Sequence, residues 1–169
     1  MNKKKTAFVV QSAVIAALYA GLTYAASMLN VAYGSIQFRF SEALTILGAI
    51  SPAAIPGLTI GCFLSNITSP YGIVDIICGT LATFIAANLS YLTRNVKLKN
   101  LPLLSAFFPV ITNAVIVGIE ITVFMPEGFK LQAFLINALQ IATGQLVMCY
   151  GLGLPLYKVI KNTKLDKKL

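Results

Sequence analysis

Histidine and tryptophan are absent from this sequence, and charged residues are scarce. Thirteen Lys and Arg and five Asp and Glu occur among 169 residues. Without histidine, the usual zinc ligand sets and any catalytic triad built on histidine are excluded. The chain also lacks a GxxxxGK[ST] loop, so it cannot hydrolyse ATP by itself. With no nucleophile–base pair either, we expect no enzyme activity, no metal and no cofactor.

Cysteine is present but carries no recognisable motif. Cys62, Cys78 and Cys149 are single residues in apolar segments, without CxxC spacing. Isolated cysteines of this kind behave as small buried hydrophobes. We expect neither a disulfide nor a redox role.

Apolar residues dominate what remains. The chain is 57% hydrophobic and 11% charged, against about 45–50% and about 25% in typical soluble domains. Its mean hydropathy is +0.82. Because a bilayer core of ~30 Å takes about 20 apolar residues per helix, the chain has room for about six or seven spans. The sequence predicts an all-α membrane protein, a bundle of six transmembrane helices that forms one domain over residues 1–169.

Apolar runs separated by turn formers or charges place the six helices. They are predicted at about 6–29, 40–50, 53–68, 73–93, 102–125 and 131–157. The run after the basic start is too long for a signal peptide, so we interpret it as a retained first helix. The second segment is too short to span alone at ~1.5 Å per residue. We expect it to be tilted, extended by flanking residues, or shielded by protein.

The basic residues predict the orientation, because Lys and Arg in short loops stay cytoplasmic. Eleven of the thirteen fall in three clusters: Lys3, Lys4 and Lys5; Arg94, Lys97 and Lys99; Lys158, Lys161, Lys164, Lys167 and Lys168. Six crossings place all three clusters on one side, with both termini cytoplasmic. The net charge of +8 then reflects topology, and we expect no nucleic-acid partner.

Polar residues within the predicted spans concentrate in the outer leaflet. They are Arg39, Glu42, Asn66, Asp75, Glu120, Asn137 and Gln140, with Asn113 deeper. Ionisable groups in a span usually pair or line a cavity. Arg39 and Glu42 could neutralise each other as i,i+3 neighbours, but that leaves Asp75 and Glu120 without an intramembrane cation. A pocket for a ligand with hydrogen-bond donors or a positive charge is the favoured interpretation, over a structural ion-pair network or ordinary exposure at the interface.

Aromatic side chains flank these charges. Tyr33, Phe38, Phe40 and Tyr71 can anchor the chain at the interface, or stack as a group on a flat ligand. In the first helix, small residues recur four apart, as in Ala13 with Ala17, Ala16 with Ala20, and Ala17 with Gly21. This spacing permits close helix contact, either inside the bundle or with another membrane subunit.

Three parts of the sequence resemble the QueT family. They are the SxxFRxSEALTIL block at 35–47, the run AAIPGLTIGCFLSNITSPYGIVDIICGTLATFIAA at 53–87, and the small-residue pattern of the first helix. That family comprises the S components, or substrate-binding subunits, of energy-coupling factor (ECF) vitamin transporters assigned to queuosine precursors. The resemblance implies a six-helix bundle in the cytoplasmic membrane of a prokaryote. Its implied partners are a transmembrane coupling subunit and two ABC ATPases, docked through Ala13 and Ala17 or Ala16 and Ala20.

The ligand implied by the resemblance is 7-aminomethyl-7-deazaguanine, called prequeuosine-1. Its guanine-like edge offers two donors that one carboxylate can accept together, and Glu42 is the first choice. Arg39, Gln37 or Asn66 could donate to O6, and Asp75 or Glu120 could accept the aminomethyl cation. Phe38, Tyr71, Asn137 and Gln140 complete the expected site. Two alternatives stay open: an S component for another vitamin-like heterocycle, and a stand-alone carrier in which Glu120 or Asp75 relays protons.

Overall fold

The computed structural model describes residues 3–33, 36–126 and 128–167, and this part of the chain is all-α. Its six main helices are helix 1 (Lys3–Met28), helix 2 (Phe40–Ala49), helix 3 (Ala54–Asn66), helix 4 (Ile73–Leu92), helix 5 (Leu103–Val123) and helix 6 (Leu131–Asn162). Helices 1, 4, 5 and 6 are long and apolar enough to cross a membrane. A short 3₁₀ turn at Leu165–Lys167 follows helix 6. Lys168, one of the predicted cytoplasmic lysines, lies outside the described residues.

Two residues with positive φ mark the end of helix 1 and the start of helix 4. Asn30 adopts a left-handed conformation with φ of 56°, and the N–H of Val31 bonds the carbonyl of Ala26 at 3.1 Å. This is the hydrogen-bond pattern of a Schellman cap. Gly72, with φ of 70°, precedes helix 4. These turns direct the chain back toward the bundle after helix 1 and before helix 4.

Helix 2 is the central element of the fold. It is a 3₁₀ helix, and every residue from 41 to 49 is buried. A 3₁₀ helix rises ~2.0 Å per residue, so its ten residues cover about 20 Å, against about 15 Å as an α-helix. Of the three expectations for this short segment, the structure agrees with shielding by protein, because residues 41 to 49 are buried. The segment is also longer than an α-helix of the same number of residues would be. Surrounding helices, rather than lipid, cover its backbone.

Helix 1 packs closely against helix 3, and two glycines make this possible. A Cβ on Gly61 would lie 2.7 Å from Cβ of Tyr19 and 2.9 Å from the carbonyl of Ala16. Gly57 lies equally close to Ile15. Since the residue numbers rise together along the contact, the two helices run parallel. Helix 2 comes between them in the sequence and runs in the opposite direction, because Thr23 contacts Ser41 and the earlier Tyr19 contacts the later Glu42. It therefore returns the chain across the bundle.

Pro109 interrupts the hydrogen bonding of helix 5 and is compensated by helix 4. Proline has no N–H to donate to the carbonyl four residues earlier. That carbonyl belongs to Ser105, and it accepts the hydroxyl of Ser90 at 2.7 Å. A backbone acceptor that would otherwise be unpaired inside the bundle therefore joins two helices.

Helix 6 is longer than predicted, extending to Asn162 rather than to about 157. It continues through a π-helical stretch at Val147–Gly153. Its last turns are amphipathic, because Tyr157 and Ile160 are buried while Lys158 and Lys161 are exposed. Charge therefore marks the exposed face of the helix rather than its end.

The two ends of the bundle differ in character. At one end, which we call the Arg39 end, Tyr33 and Arg39 from the segment between helices 1 and 2 contact the end of helix 3 and the start of helix 4. At the other, the basic end, Lys97 and Lys99 lie beside Lys158 and Lys161. The polar residues singled out from the sequence can now be located at the first of these ends.

Candidate ligand-binding site

Arg39 holds a buried network together at its end of the bundle. Its guanidinium Nη2 lies 3.4 Å from Oδ2 of Asp75, and Nη1 donates to Oδ1 of Asn66 at 3.4 Å. Its Nε donates to the carbonyl of Ala32 at 3.2 Å, and the group lies 4.8 Å from the centre of the Tyr33 ring. The partner of Arg39 is therefore Asp75 on helix 4. The i,i+3 pairing of Arg39 with Glu42, left open from the sequence, is not the ion pair that forms among the described residues.

The sequence around Asp75 explains how this pairing is built. Asp75 lies in the first turn of helix 4, where the helix dipole favours a carboxylate. Asn66, at the end of helix 3, donates from Nδ2 to the backbone carbonyl of Asp75 at 3.0 Å. Gly79 leaves the space for that amide, because a Cβ there would lie 2.5 Å from Asn66 Nδ2. Helices 3 and 4, together with the loop carbonyl of Ala32, thus fix the position of the guanidinium.

Glu42 belongs to a second, separate network. The Tyr19 hydroxyl donates to Oε1 of Glu42 at 2.6 Å, and Glu42 is 1% exposed. Oε2 of Glu42 has no well-formed hydrogen bond among the described residues, although the buried amide of Gln145 is close. Cys149 contacts both the Glu42 carbonyl and Gln145 Oε1 at 3.7 Å. Helices 1, 2 and 6 therefore converge on this carboxylate.

Several buried polar atoms at the Arg39 end have no hydrogen-bond partner in the described part of the chain. They are Nε2 of Gln37, Oε2 of Glu42, Oδ1 of Asp75 and both carboxylate oxygens of Glu120; the hydroxyls of Thr80 and Thr83 are the others in this class. Native interiors pair nearly all such atoms, because an unmatched one costs about 1–3 kcal/mol. Four residues predicted for the ligand site thus retain unused hydrogen-bonding capacity.

Glu120 lies against a cavity of about 390 Å³. The other lining residues are mostly apolar: Tyr71, Val74, Ile121, Phe124, Met125 and Pro126. Glu120 is 5% exposed and interacts electrostatically with Asp75 and Arg39. The cavity has the size and the mainly apolar lining of a small-molecule pocket. Glu120 is the one acidic residue among those that line the cavity.

The remaining predicted site residues take no part in the side-chain hydrogen bonds of Arg39 and Glu42 within the described residues. Asn137 donates to Thr122 Oγ1 at 3.0 Å and so joins helices 6 and 5. Tyr71 is exposed, and its hydroxyl donates to the Tyr33 carbonyl at 3.3 Å. Phe38 and Gln140 are half-buried, and the Gln140 amide makes no hydrogen bond to Arg39 or Glu42 within the described residues.

Sequence reasoning missed Tyr19, Thr23 and Gln145. Tyr19 and Thr23 are one turn apart on the buried face of helix 1, where Thr23 bonds Ser41 at 2.7 Å. Two hydroxyl side chains at i and i+4 in an apolar helix were the available signal. Gln145 was overlooked because its half of helix 6 is nearly free of charge.

The four alanines proposed for docking divide into two faces of helix 1. Ala16 and Ala20 are buried at 5% and 8% exposure. Ala13 and Ala17 are exposed, as is Gly21. Of the two possible registers, only the one with Ala13 and Ala17 leaves its small residues accessible to another subunit.

Comparison with known proteins agrees with the resemblance seen in the sequence. Residues 9–162 match the family model described as QueT transporter. The queuosine precursor transporter QueT of Lactococcus lactis subsp. cremoris (strain MG1363) is 40% identical over 92 residues, 54% of this chain and 54% of that protein. The match therefore spans about half the length of this curated relative. No solved structure matches the chain. Because the family match covers most of the sequence, the chain belongs to the QueT family of transporters and is not an enzyme.

Proposed function

We propose that this chain is the substrate-binding membrane subunit of an ECF-type ABC importer and that it captures a queuosine precursor at the extracellular side. The observation that carries the proposal is the set of unpartnered buried polar atoms at the Arg39 end, on Gln37, Glu42, Asp75 and Glu120. A transporter that binds a polar heterocycle needs such groups in its empty state. The name of the Lactococcus relative supplies the substrate class.

The topology we propose has six crossings, one domain over residues 1–169, and both termini in the cytoplasm of a prokaryote. The lysines that line the basic end support this orientation, because basic loops stay cytoplasmic. Helices 2 and 3 are too short to meet lipid along a full span, but protein surrounds helix 2. The Arg39 end then faces outward.

The ligand we propose is 7-aminomethyl-7-deazaguanine, and the contacts suggest which end binds where. Oε2 of Glu42 can accept one of the N1–H and N2–H₂ donors of a guanine-like edge, and Oε1, which also accepts the Tyr19 hydroxyl, has a second lone pair for the other. Gln37 Nε2 is an unpartnered donor suited to O6, whereas Arg39 and Asn66 already bond other groups. This assignment selects Gln37 from the three donors considered.

The aminomethyl cation is best matched by Glu120. Asp75 already faces the Arg39 guanidinium, so most of its charge is compensated. Both oxygens of Glu120 lack partners among the described residues, and the cavity beside them accommodates a small group. A cation there would pair with the buried carboxylate.

Energy for uptake comes, in this proposal, from a coupling subunit and two ABC ATPases. The exposed face of helix 1 around Ala13 and Ala17 is the proposed docking surface. The rival function is a stand-alone carrier driven by protons through Glu120 or Asp75. The two functions differ in their energy source, which is ATP hydrolysis by the partner subunits in the first and a proton gradient in the second.

The test uses the purified chain in liposomes with radiolabelled 7-aminomethyl-7-deazaguanine. We expect the chain to bind the ligand yet fail to accumulate it against a gradient, with or without a pH difference. Accumulation driven by protons would overturn the S-component proposal. A parallel binding series with the 7-cyano analogue, queuine, guanine and adenine identifies the substrate, and a preference for an unrelated vitamin would overturn the proposed ligand.

A further inference from the structure

The basic end carries a cavity of about 340 Å³ that the proposed transport function does not use. Lys97 and Lys99, from the loop after helix 4, line one side, and Lys158 and Lys161 of helix 6 line the other. Lys161 is paired with Asp166 at 2.7 Å. The other three lysines make no ion pair within the described residues. The cavity therefore has an excess of positive charge.

An apolar groove of about 380 Å³ adjoins this cavity, and Lys97 lines both. Besides Lys97, its lining consists of Val96, Leu98, Leu103, Leu104, Phe107 and Tyr150. Leu98 is 63% exposed, and Leu104 and Phe107 are each 40% exposed. The groove thus lies on the outer flank of the bundle, where a transmembrane helix meets lipid.

The loop that carries two of the lysines has a defined shape. The backbones of Leu98 and Leu101 exchange two hydrogen bonds of 2.9 and 3.0 Å. Between them Lys99 and Asn100 have φ of 51° and 63°. Two consecutive residues with positive φ form the tight turn typical of short β-hairpins. Lys97 and Lys99 are therefore held on a short ordered turn beside helix 6.

We propose that this composite surface binds an anionic glycerophospholipid, with its phosphate among Lys97, Lys99 and Lys158 and an acyl chain in the groove along helix 5. A phosphate oxygen accepts several charge-assisted hydrogen bonds from lysines. Basic pockets on the cytoplasmic side of membrane helices bind acidic head groups. Free phosphate would use only the basic cavity. The continuity of the two surfaces at Lys97 is what favours a lipid.

The test is native mass spectrometry of the full chain in detergent, titrated with phosphatidylglycerol or with phosphatidylcholine of the same acyl chains. We expect phosphatidylglycerol to bind preferentially and to weaken as ionic strength rises. Lys97→Gln/Lys158→Gln should weaken its binding about thirtyfold, because each lysine near an anionic head group contributes about 1 kcal/mol. Lys3→Gln/Lys5→Gln removes the same charge from exposed positions of helix 1 and should leave binding unchanged.

Three results would overturn the proposal: equal binding of the two lipids, equal weakening by both double variants, or displacement of the lipid by millimolar inorganic phosphate. Phosphatidylglycerol with hexanoyl chains probes the groove, and it should bind more weakly than the long-chain lipid. Equal binding of the two chain lengths would remove the acyl-chain contact. If Lys97→Gln/Lys158→Gln fails to fold, the comparison of the two lipids on the unmodified chain decides the matter alone.

Discussion

The Tyr19 hydroxyl donates a 2.6 Å hydrogen bond to Oε1 of Glu42, joining helix 1 to the central 3₁₀ helix. The two residues are 23 positions apart in the sequence and both are fully buried. A carboxylate with one oxygen held in this way presents the other in a fixed direction. Tyr19 is therefore a positioning residue for the proposed ligand acceptor.

Tyr19→Phe should weaken binding of 7-aminomethyl-7-deazaguanine by about threefold to thirtyfold, since it leaves Oε1 of Glu42 without its donor. Isothermal calorimetry on the detergent-purified chain measures the change. Tyr24→Phe is the matched control, because that hydroxyl bonds the Leu64 carbonyl at an exposed position. Equal affinity in Tyr19→Phe and the unmodified chain would show that the hydroxyl serves only packing.

Glu42→Gln replaces an acceptor oxygen with an NH₂ donor that faces a donor of the ligand. Unmatched buried donors cost about 1–3 kcal/mol, and more where charge is involved, so binding should fall by about tenfold to a few hundredfold. Selectivity for guanine over adenine should shrink in the same calorimetric series. Unchanged affinity would mean that the Glu42 charge is structural.

Arg39→Met should destabilise the fold by about 3–5 kcal/mol, because it leaves the buried Asp75 carboxylate without its ion-pair partner. Arg39→Met/Asp75→Asn should recover much of that loss, as read from thermal unfolding in detergent. Arg39→Met/Glu42→Gln should not recover it, since Glu42 bonds Tyr19 instead. If Arg39→Met/Glu42→Gln were instead the more stable of the two double variants, Glu42 would be the true partner of Arg39.

Glu120→Gln should weaken the cationic aminomethyl ligand by about tenfold or more while changing the neutral 7-cyano analogue much less. The reason is that only the amine gains from a negative charge in the cavity. Paired titrations of the two ligands measure this discrimination. If both ligands weaken equally, Glu120 contributes shape rather than charge. Asp75 is a poorer candidate, because its charge already meets Arg39.

Ala17→Trp and Ala16→Trp separate docking from folding. Ala17 is exposed, so the larger side chain should leave ligand binding intact while reducing uptake in cells that carry the coupling module. Ala16 packs against Gly61 of helix 3, so the same change there should destabilise the bundle. Normal uptake by Ala17→Trp would remove helix 1 as the docking surface.

Hydropathy and charge determined much about this protein without any structure. They indicated a membrane protein of six helical segments, because apolar runs and turn residues are local properties of the chain. They also predicted a common end of the bundle for Arg39, Glu42, Asn66, Asp75 and Glu120, because the depth of a residue follows from its distance to a helix end. The turn residues before helix 4 and the basic loop before helix 5 could also be predicted, because turn formers and charged residues are local features of the sequence.

The tertiary structure alone decided which groups meet. Arg39 pairs with Asp75 rather than with its neighbour Glu42, because the chain at Arg39 is extended rather than helical and the pairing depends on where helix 4 packs. The accessible register of the helix 1 alanines depends on the rotation of that helix against Gly57 and Gly61. Helix 2 is buried over residues 41 to 49 because the neighbouring helices pack around it. Such contacts join residues 20 to more than 100 positions apart, and no local pattern records them.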